Sequence, residues 1–439
     1  MASAHAGFGW LSIVRLGLVQ ASIGAIVMLA TSLLNRVMVV EYALAAAIPA
    51  GLVAWHYAVQ LSRPLWGHGS DRGRRRTPWI LGGMATLALG ALLAVRATLM
   101  MGGSAWLGGA LAILAFTLIG FGVGAAGTSM LALLASGVAP ARRAAAAAVT
   151  WIMMVAGIVV SAGVSGAMLE PFSEERLIIV ASGVALAALA VSTLALFRLE
   201  PAAAHSFDAS PKGDVPSFAA ALREILEEEA ARRFTIFIFV SMLAYSMQDL
   251  ILEPFAGLVF EMSPGESTQL AGVQHGGVLL GMIVAGIGGS AFAGRLPVDL
   301  RFWIIAGCCG SALALAGLAT AAVHGPGWPL QANVFILGLC NGLFAVAAIG
   351  AMMGLAGAGR KTREGVRMGV WGAAQAIAFG LGGLAGALGV DIARRAQGQD
   401  GVAFQLIFAL EACLFVLAAV LAVHATRRKQ STTGEVATT

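Results

Sequence analysis

Long apolar runs separated by short polar loops make up nearly the whole chain. A bilayer span needs about 20 mostly apolar residues, and twelve runs meet that length. They lie near 13–34, 43–62, 78–99, 107–136, 144–169, 177–197, 234–259, 270–293, 302–323, 329–357, 367–390 and 402–424. One long polar stretch, 198–233, interrupts them after the sixth. It holds Pro201, Pro211, Pro216 and the acidic run Glu227 to Glu229. The pattern predicts an all-α membrane protein with a six-helix bundle over 1–197, a linker over 198–233, a second six-helix bundle over 234–426 and a tail over 427–439. Within the linker, Phe218 to Glu229 reads as a short amphipathic helix, either a surface contact for a partner or the ordinary linker helix of such proteins.

Composition sharpens this. Of 439 residues 59% are hydrophobic and only 11% charged, against about 25% charged in an average soluble domain. A soluble enzyme of this size lacks the charge to cover its surface. The 57 glycines follow no triplet period and fall inside the apolar runs, where small residues let membrane helices approach closely. Net charge is +5, but the basic residues sit in short loops, which is a topology signal rather than a nucleic-acid footprint. With both termini and the even-numbered loops on one side, cations divide about 22 to 5 between the sides, so both termini are expected in the cytoplasm. Cys308, Cys309, Cys340 and Cys413 lie in apolar segments without metal-type spacing and read as small hydrophobes.

Six spans, a central loop and six spans is the organisation of a major facilitator, two bundles around a midplane cavity. The loop after the second span, Gly67-His-Gly-Ser-Asp71-Arg72-Gly-Arg-Arg75-Arg76-Thr77-Pro78, resembles that superfamily's GxxxD(R/K)xGRR signature, with the second glycine one position early. Asp71 can accept hydrogen bonds from a helix N-terminus while the arginines hold the cytoplasmic side; a plain anchor of positive charge is the other reading. The corresponding loop of the second half, Gly294 to Asp299, is degenerate.

Ionisable groups inside spans are costly and therefore candidates for function. Asn35, Arg36 and Glu41 lie at the outer end of the first span, where Arg36 and Glu41 can pair across the turn. Gln248, Asp249 and Glu253-Pro254 lie in the seventh. Asp249 and Glu253 are spaced i, i+4 and share a helix face; without a cation nearby, one would be protonated or both would sit in a wet cavity. They are candidates for a ligand or partner contact, and a structural link to Arg36 is the other reading. Pro254 is expected to break the helix and free a carbonyl. His56, with Gln60 one turn on, and His275, in Gln274-His275-Gly276-Gly277, are two histidines within spans. Each is either a packing residue or a ligand for the magnesium of a chlorophyll-type macrocycle, with adjacent glycines giving a flat ring room. There is no HExxH, no phosphate-binding GxxxxGK[ST], no dedicated metal cage and no Ser/His/Asp arrangement.

Several stretches together resemble one branch of the major facilitators, the PucC/LhaA or bacteriochlorophyll delivery family of phototrophic bacteria. They are Arg15 to Gln20, Leu34 to Glu41, Ser70 to Pro78, Gln248 to Gly257, Gln274 to Gly281, and Arg363-Glu364-Gly365 with Met368-Gly369-Val-Trp371-Gly372. The likeness runs through nearly all spans, and a short amino terminus points to the subgroup historically labelled a chain of bacteriochlorophyll synthase. The resemblance implies a non-enzymatic factor in the cytoplasmic (inner) or intracytoplasmic photosynthetic membrane. It would handle bacteriochlorophyll, stably or in transit, between the synthase and antenna (light-harvesting) polypeptides, with the reaction-centre complex as a further partner. The enzymatic label has no support in the residues, because no aspartate-rich motif for Mg²⁺-diphosphate is present. The alternative is a secondary transporter moving a small solute by alternating access. It is weakened because the ionisable groups lie toward the ends of spans, and His56, Asn341 and Gln375 are the main polar residues at mid-span.

Overall fold

A computed structural model describes residues 8–63, 66, 70, 75–138, 142–200, 223, 227, 229–290, 300–357 and 364–425. Among the described residues twelve long helices follow in order: α1 (Trp10–Glu41, with π-helical turns at Leu29–Leu33 and Val37–Glu41), α2 (Ala47–Val59, continued by a 3-10 turn Gln60–Ser62), α3 (Thr77–Met101), α4 (Ala105–Gly137), α5 (Arg143–Met168), α6 (Glu174–Leu196), α7 (Glu229–Val259), α8 (Pro264–Ser290), α9 (Leu300–His324), α10 (Leu330–Gly357), α11 (Glu364–Gln397) and α12 (Asp400–Ala425). Eleven of them are long and apolar enough to cross a membrane; α2 is the shorter one. The chain is a multi-pass membrane protein. Several helices overrun the apolar runs, α7 starting at Glu229 rather than 234 and α11 spanning 364–397 rather than 367–390, because polar helix ends extend past the hydrocarbon. Most of the predicted linker helix, and the loops 67–69, 71–74 and 291–299, lie outside the described residues.

Each half buries its own apolar core. Ile13, Leu16, Met84, Leu87 and Phe116 belong to the first; Phe234, Phe237, Phe255, Phe344, Phe408 and Phe415 belong to the second. Leu194, Leu313 and Val160 instead point outward, as surfaces facing lipid do, since hydrocarbon exerts no drive to bury them. Cys308 is buried, whereas Cys309 and Cys413 are exposed. Between helices the close contacts are made through glycine. A Cβ at Gly338 would meet the Gln274 carbonyl and one at Gly342 the Val278 carbonyl, while Gly277 and Gly281 meet the α10 backbone in return. These two reciprocal small-xxx-small stripes seat α8 directly on α10. The halves join where α5 packs on α8 and α2 on α11, with α1 against α7.

Candidate site on the seam between the two halves

The seam of α1 and α7 is built around one backbone defect. Pro254 lies inside α7, which continues unbroken to Val259 rather than stopping as the sequence suggested. A proline has no N–H, so the carbonyl four residues back loses its helical donor. That carbonyl belongs to Leu250, and the Asn35 side-chain amide of α1 donates to it at 2.7 Å. The freed carbonyl expected from the sequence therefore exists, and it is satisfied from the opposite half.

Two more contacts extend this tie. Ser32 Oγ donates to Glu253 Oε1. The fully buried Arg36 guanidinium pairs with Glu41 and donates through Nη2 to the Met262 carbonyl, beyond the end of α7, at 2.6 Å. The Arg36–Glu41 pair forms as its spacing foretold, with the π-helical turn bringing residues five apart together. Gly257 makes room for Arg36: a Cβ there would lie 3.2 Å from Nη2 and 2.9 Å from Val40. Arg36 pairs with Glu41 and also acts on Glu253 through space, whereas among the described residues no cation acts on Asp249, so the two carboxylates do not share one. Glu253 faces α1, and Asp249 keeps Oδ1 buried without a hydrogen bond.

Other links between the halves lie at the same end of the bundle. Asp391 of α11 accepts from Ala46 N (3.0 Å) and Ala47 N (2.8 Å), capping α2, as carboxylates do at helix N-termini. Ser263 Oγ donates to Glu170 after α5. The turns at 41–46, 169–173 and 260–263 thus form one closed face, and six hydrogen bonds between described residues of the two halves gather there. The opposite end holds together within the first half. Arg15 Nε donates to Ala195 O at 2.8 Å, and Glu200 accepts from Arg76 N and Thr77 N at 2.9 Å, capping α3.

Of the loop signature, Gly67, Asp71 and Arg72 lie outside the described residues; Arg75 is exposed and Arg76 buried. The acid that caps a neighbouring helix there is Glu200, which the sequence reading did not single out.

The two histidines differ in their ring nitrogens. His56 Nδ1 donates to Val53 O at 2.8 Å and its Nε2 accepts from Gln60 Nε2 at 2.8 Å, so both positions are occupied. His275 Nδ1 donates to Ala271 O at 2.9 Å, which orients the ring and leaves the Nε2 lone pair as its acceptor. A Cβ on Gly276 would meet nothing within 4 Å, whereas Gly277 is filled by the α10 backbone. Only one of the two adjacent glycines therefore has open space over its Cα. Gln274 is buried with Nε2 unpartnered, and Gln248 with both amide atoms unpartnered. One buried acid escaped the sequence reading altogether. Glu411, at the middle of α12, is fully buried with both oxygens unpartnered; its signal was a lone carboxylate in the run Phe408-Ala-Leu-Glu411-Ala-Cys413.

Among the described residues, twelve helices in two halves, joined at α2–α11 and α5–α8, make a major facilitator fold. Two solved transporters share the fold: the nucleoside transporter NupG (TM-score 0.67, 14% identity, covering 95% of this chain and 99% of that one) and the peptide transporter POT (TM-score 0.69, 12% identity, 96% of each). The chain itself belongs to the PUCC protein family, whose model matches residues 33–430. It is 51% identical over 417 residues to the bacteriochlorophyll synthase 44.5 kDa chain of Rhodobacter capsulatus, covering 94% of this chain and 95% of that one. It is 30% identical to the protein PucC of the same organism, covering 95% and 92%.

Proposed function

We propose that this protein is a membrane factor that hands bacteriochlorophyll between its synthase and the antenna polypeptides during assembly of light-harvesting complexes, without itself catalysing a reaction. The observation that carries this is the 51% identity, over nearly the full length of both chains, to a relative named for bacteriochlorophyll synthase, within a family whose other members include PucC proteins. It works in the cytoplasmic or intracytoplasmic membrane with both termini in the cytoplasm, in keeping with the division of basic residues between loops. The closed face then lies outside, and the two bundles meet at a linker over 198–233.

His275 fits the pigment. Its neutral imidazole nitrogen would supply a ligand to the magnesium of bacteriochlorophyll. The hydrogen bond from Nδ1 to Ala271 O favours the tautomer with Nε2 unprotonated, and the open side of Gly276 leaves room for a flat ring. His56 does not fit as well, because coordination would break its bond from Gln60.

The test is an absorption spectrum of the protein purified in mild detergent from a phototrophic host, with His275→Ala and His56→Ala beside it. Bacteriochlorophyll bands that disappear in His275→Ala and persist in His56→Ala are expected. A colourless wild-type protein that still copurifies with antenna polypeptides removes the pigment site and leaves an assembly chaperone. A protein both colourless and alone overturns the proposal and favours solute transport.

A further inference from the structure

We propose that Glu411 of α12 is a proton-binding site within the second half, carrying one exchangeable proton, with Asp249 of α7 as the neighbouring carboxyl group that tunes its affinity. This site stands apart from the pigment reading. It shares no residue with His275, and it would exist in a transporter or a chaperone alike.

Glu411 is fully buried and neither of its oxygens has a hydrogen-bond partner; Asp249 Oδ1 is buried and unpartnered as well. The two carboxyl groups lie within electrostatic reach of one another, across the packed seam of α7 and α12. Among the described residues no Lys, Arg or His acts on either of them. Two uncompensated negative charges within electrostatic reach of each other inside a membrane protein are too costly to persist, so something positive must reside there.

The neighbours decide what that is. The other titratable groups within electrostatic reach of Asp249 are Tyr245 on α7 and Tyr57 on α2. Phe379 of α11 lies between their rings, 5.8 Å from Tyr57 and 5.7 Å from Tyr245. Arg63, at the end of α2, acts on Tyr57 and not on the carboxyls. On α9 the titratable side chain buried near mid-span is Cys308, and on α10 it is the half-buried Cys340. A metal cation wants six or more oxygen ligands if it is Ca²⁺, or a near-ideal octahedron if it is Mg²⁺. Among the described residues no group of three or more His, Cys, Asp or Glu could hold one. A proton needs only one carboxyl oxygen and no shell.

Placement gives the site a consequence. Asp249 lies one turn before Glu253, which α1 grips through Ser32, and on the helix whose Leu250 carbonyl is held by Asn35. Proton loss would make the α7–α12 seam repel, moving the helix that seals the closed face.

The test uses N,N′-dicyclohexylcarbodiimide, an apolar reagent that adds only to protonated carboxyls, on the full chain purified in detergent, with mass spectrometry of the α12 peptide. At about neutral pH, Glu411 gains one adduct, and labelling declines as the pH is raised. Glu411→Gln, nearly isosteric, abolishes that adduct. Asp249→Asn removes the neighbouring charge, and labelling of Glu411 then falls off about one pH unit lower, a tenfold change in proton concentration. A Glu411 that stays unlabelled at every pH in the folded wild-type protein overturns the site. So does labelling with the same pH dependence in Asp249→Asn. Protection of Glu411 by sodium ions at constant pH overturns the proton in favour of a metal cation.

Discussion

Replacing Asn35 by leucine isolates the contact on which the α1–α7 seam turns. Leucine keeps the branched outline of asparagine, so no cavity opens, but the Leu250 carbonyl loses its donor at 2.7 Å. A buried carbonyl left unpaired costs about 1–3 kcal/mol, whereas hydrogen bonds between membrane helices average only about 0.6 kcal/mol and reach about 1.7. Asn35 Oδ1 is itself buried without a partner, so its removal returns part of the loss. The expected cost is thus about 1–1.5 kcal/mol. The structure predicts more than that number, because the carbonyl needs Asn35 only while residue 254 is proline. Pro254→Ala restores an N–H that bonds back to Leu250 within the helix, and in that background Asn35→Leu should cost under about 0.5 kcal/mol. The coupling, about 1 kcal/mol, is measured by a double-mutant cycle on the four proteins, unfolded by SDS in mixed micelles and followed by tryptophan fluorescence. If Asn35→Leu costs the same in the wild type as in Pro254→Ala, the carbonyl is not what Asn35 serves, and the account of the seam fails.

Three other outcomes follow from particular contacts. Gly342→Ala drives a methyl group into the Val278 carbonyl and should lose about 1–3 kcal/mol, read as a lower unfolding temperature, whereas Gly276→Ala, which meets nothing within 4 Å, should leave that temperature unchanged. Glu200→Ala uncaps α3 by removing the acceptor of Arg76 N and Thr77 N; a loss of about 1–2 kcal/mol is expected, with Glu200→Gln keeping most of the stability, and equal losses would show that the cap is not the cause. Tyr42, in the turn after α1, is partly buried and donates to Glu174 at 2.8 Å, which together push its phenol from 10.0 up to about 12. The neutral form is favoured by folding, so its contribution is complete below about pH 10 and is lost as the pH rises through about 12. Phenolate absorbance should show one tyrosine of Tyr42's accessibility titrating near 12 in the wild type and nearer 10 in Glu174→Gln.

Much of the architecture was legible in the apolar runs. Period and length alone marked twelve helices, because a backbone in hydrocarbon must satisfy its own hydrogen bonds and has few ways to do so. The candidate site was half legible. Arg36 and Glu41, five apart, pair as read, and Pro254 frees a carbonyl as read. That Asn35, 215 positions away from Leu250, supplies the missing donor required the fold, since nothing in either segment names the other. Glu411 went unseen because a single carboxylate in an apolar run carries no pattern, and only burial without a partner makes it conspicuous. The histidines looked equivalent in sequence; the hydrogen bond from Gln60 and the open side of Gly276 separate them. The sequence by itself determined the solvent this protein folds in, the number of helices and the cost of each polar residue among them, since those follow from transfer energies summed along the chain. The tertiary structure alone decided which polar groups meet and which remain alone, because partnership is set by how helices distant in sequence pack, at distances where one methyl group or one missing N–H changes the answer.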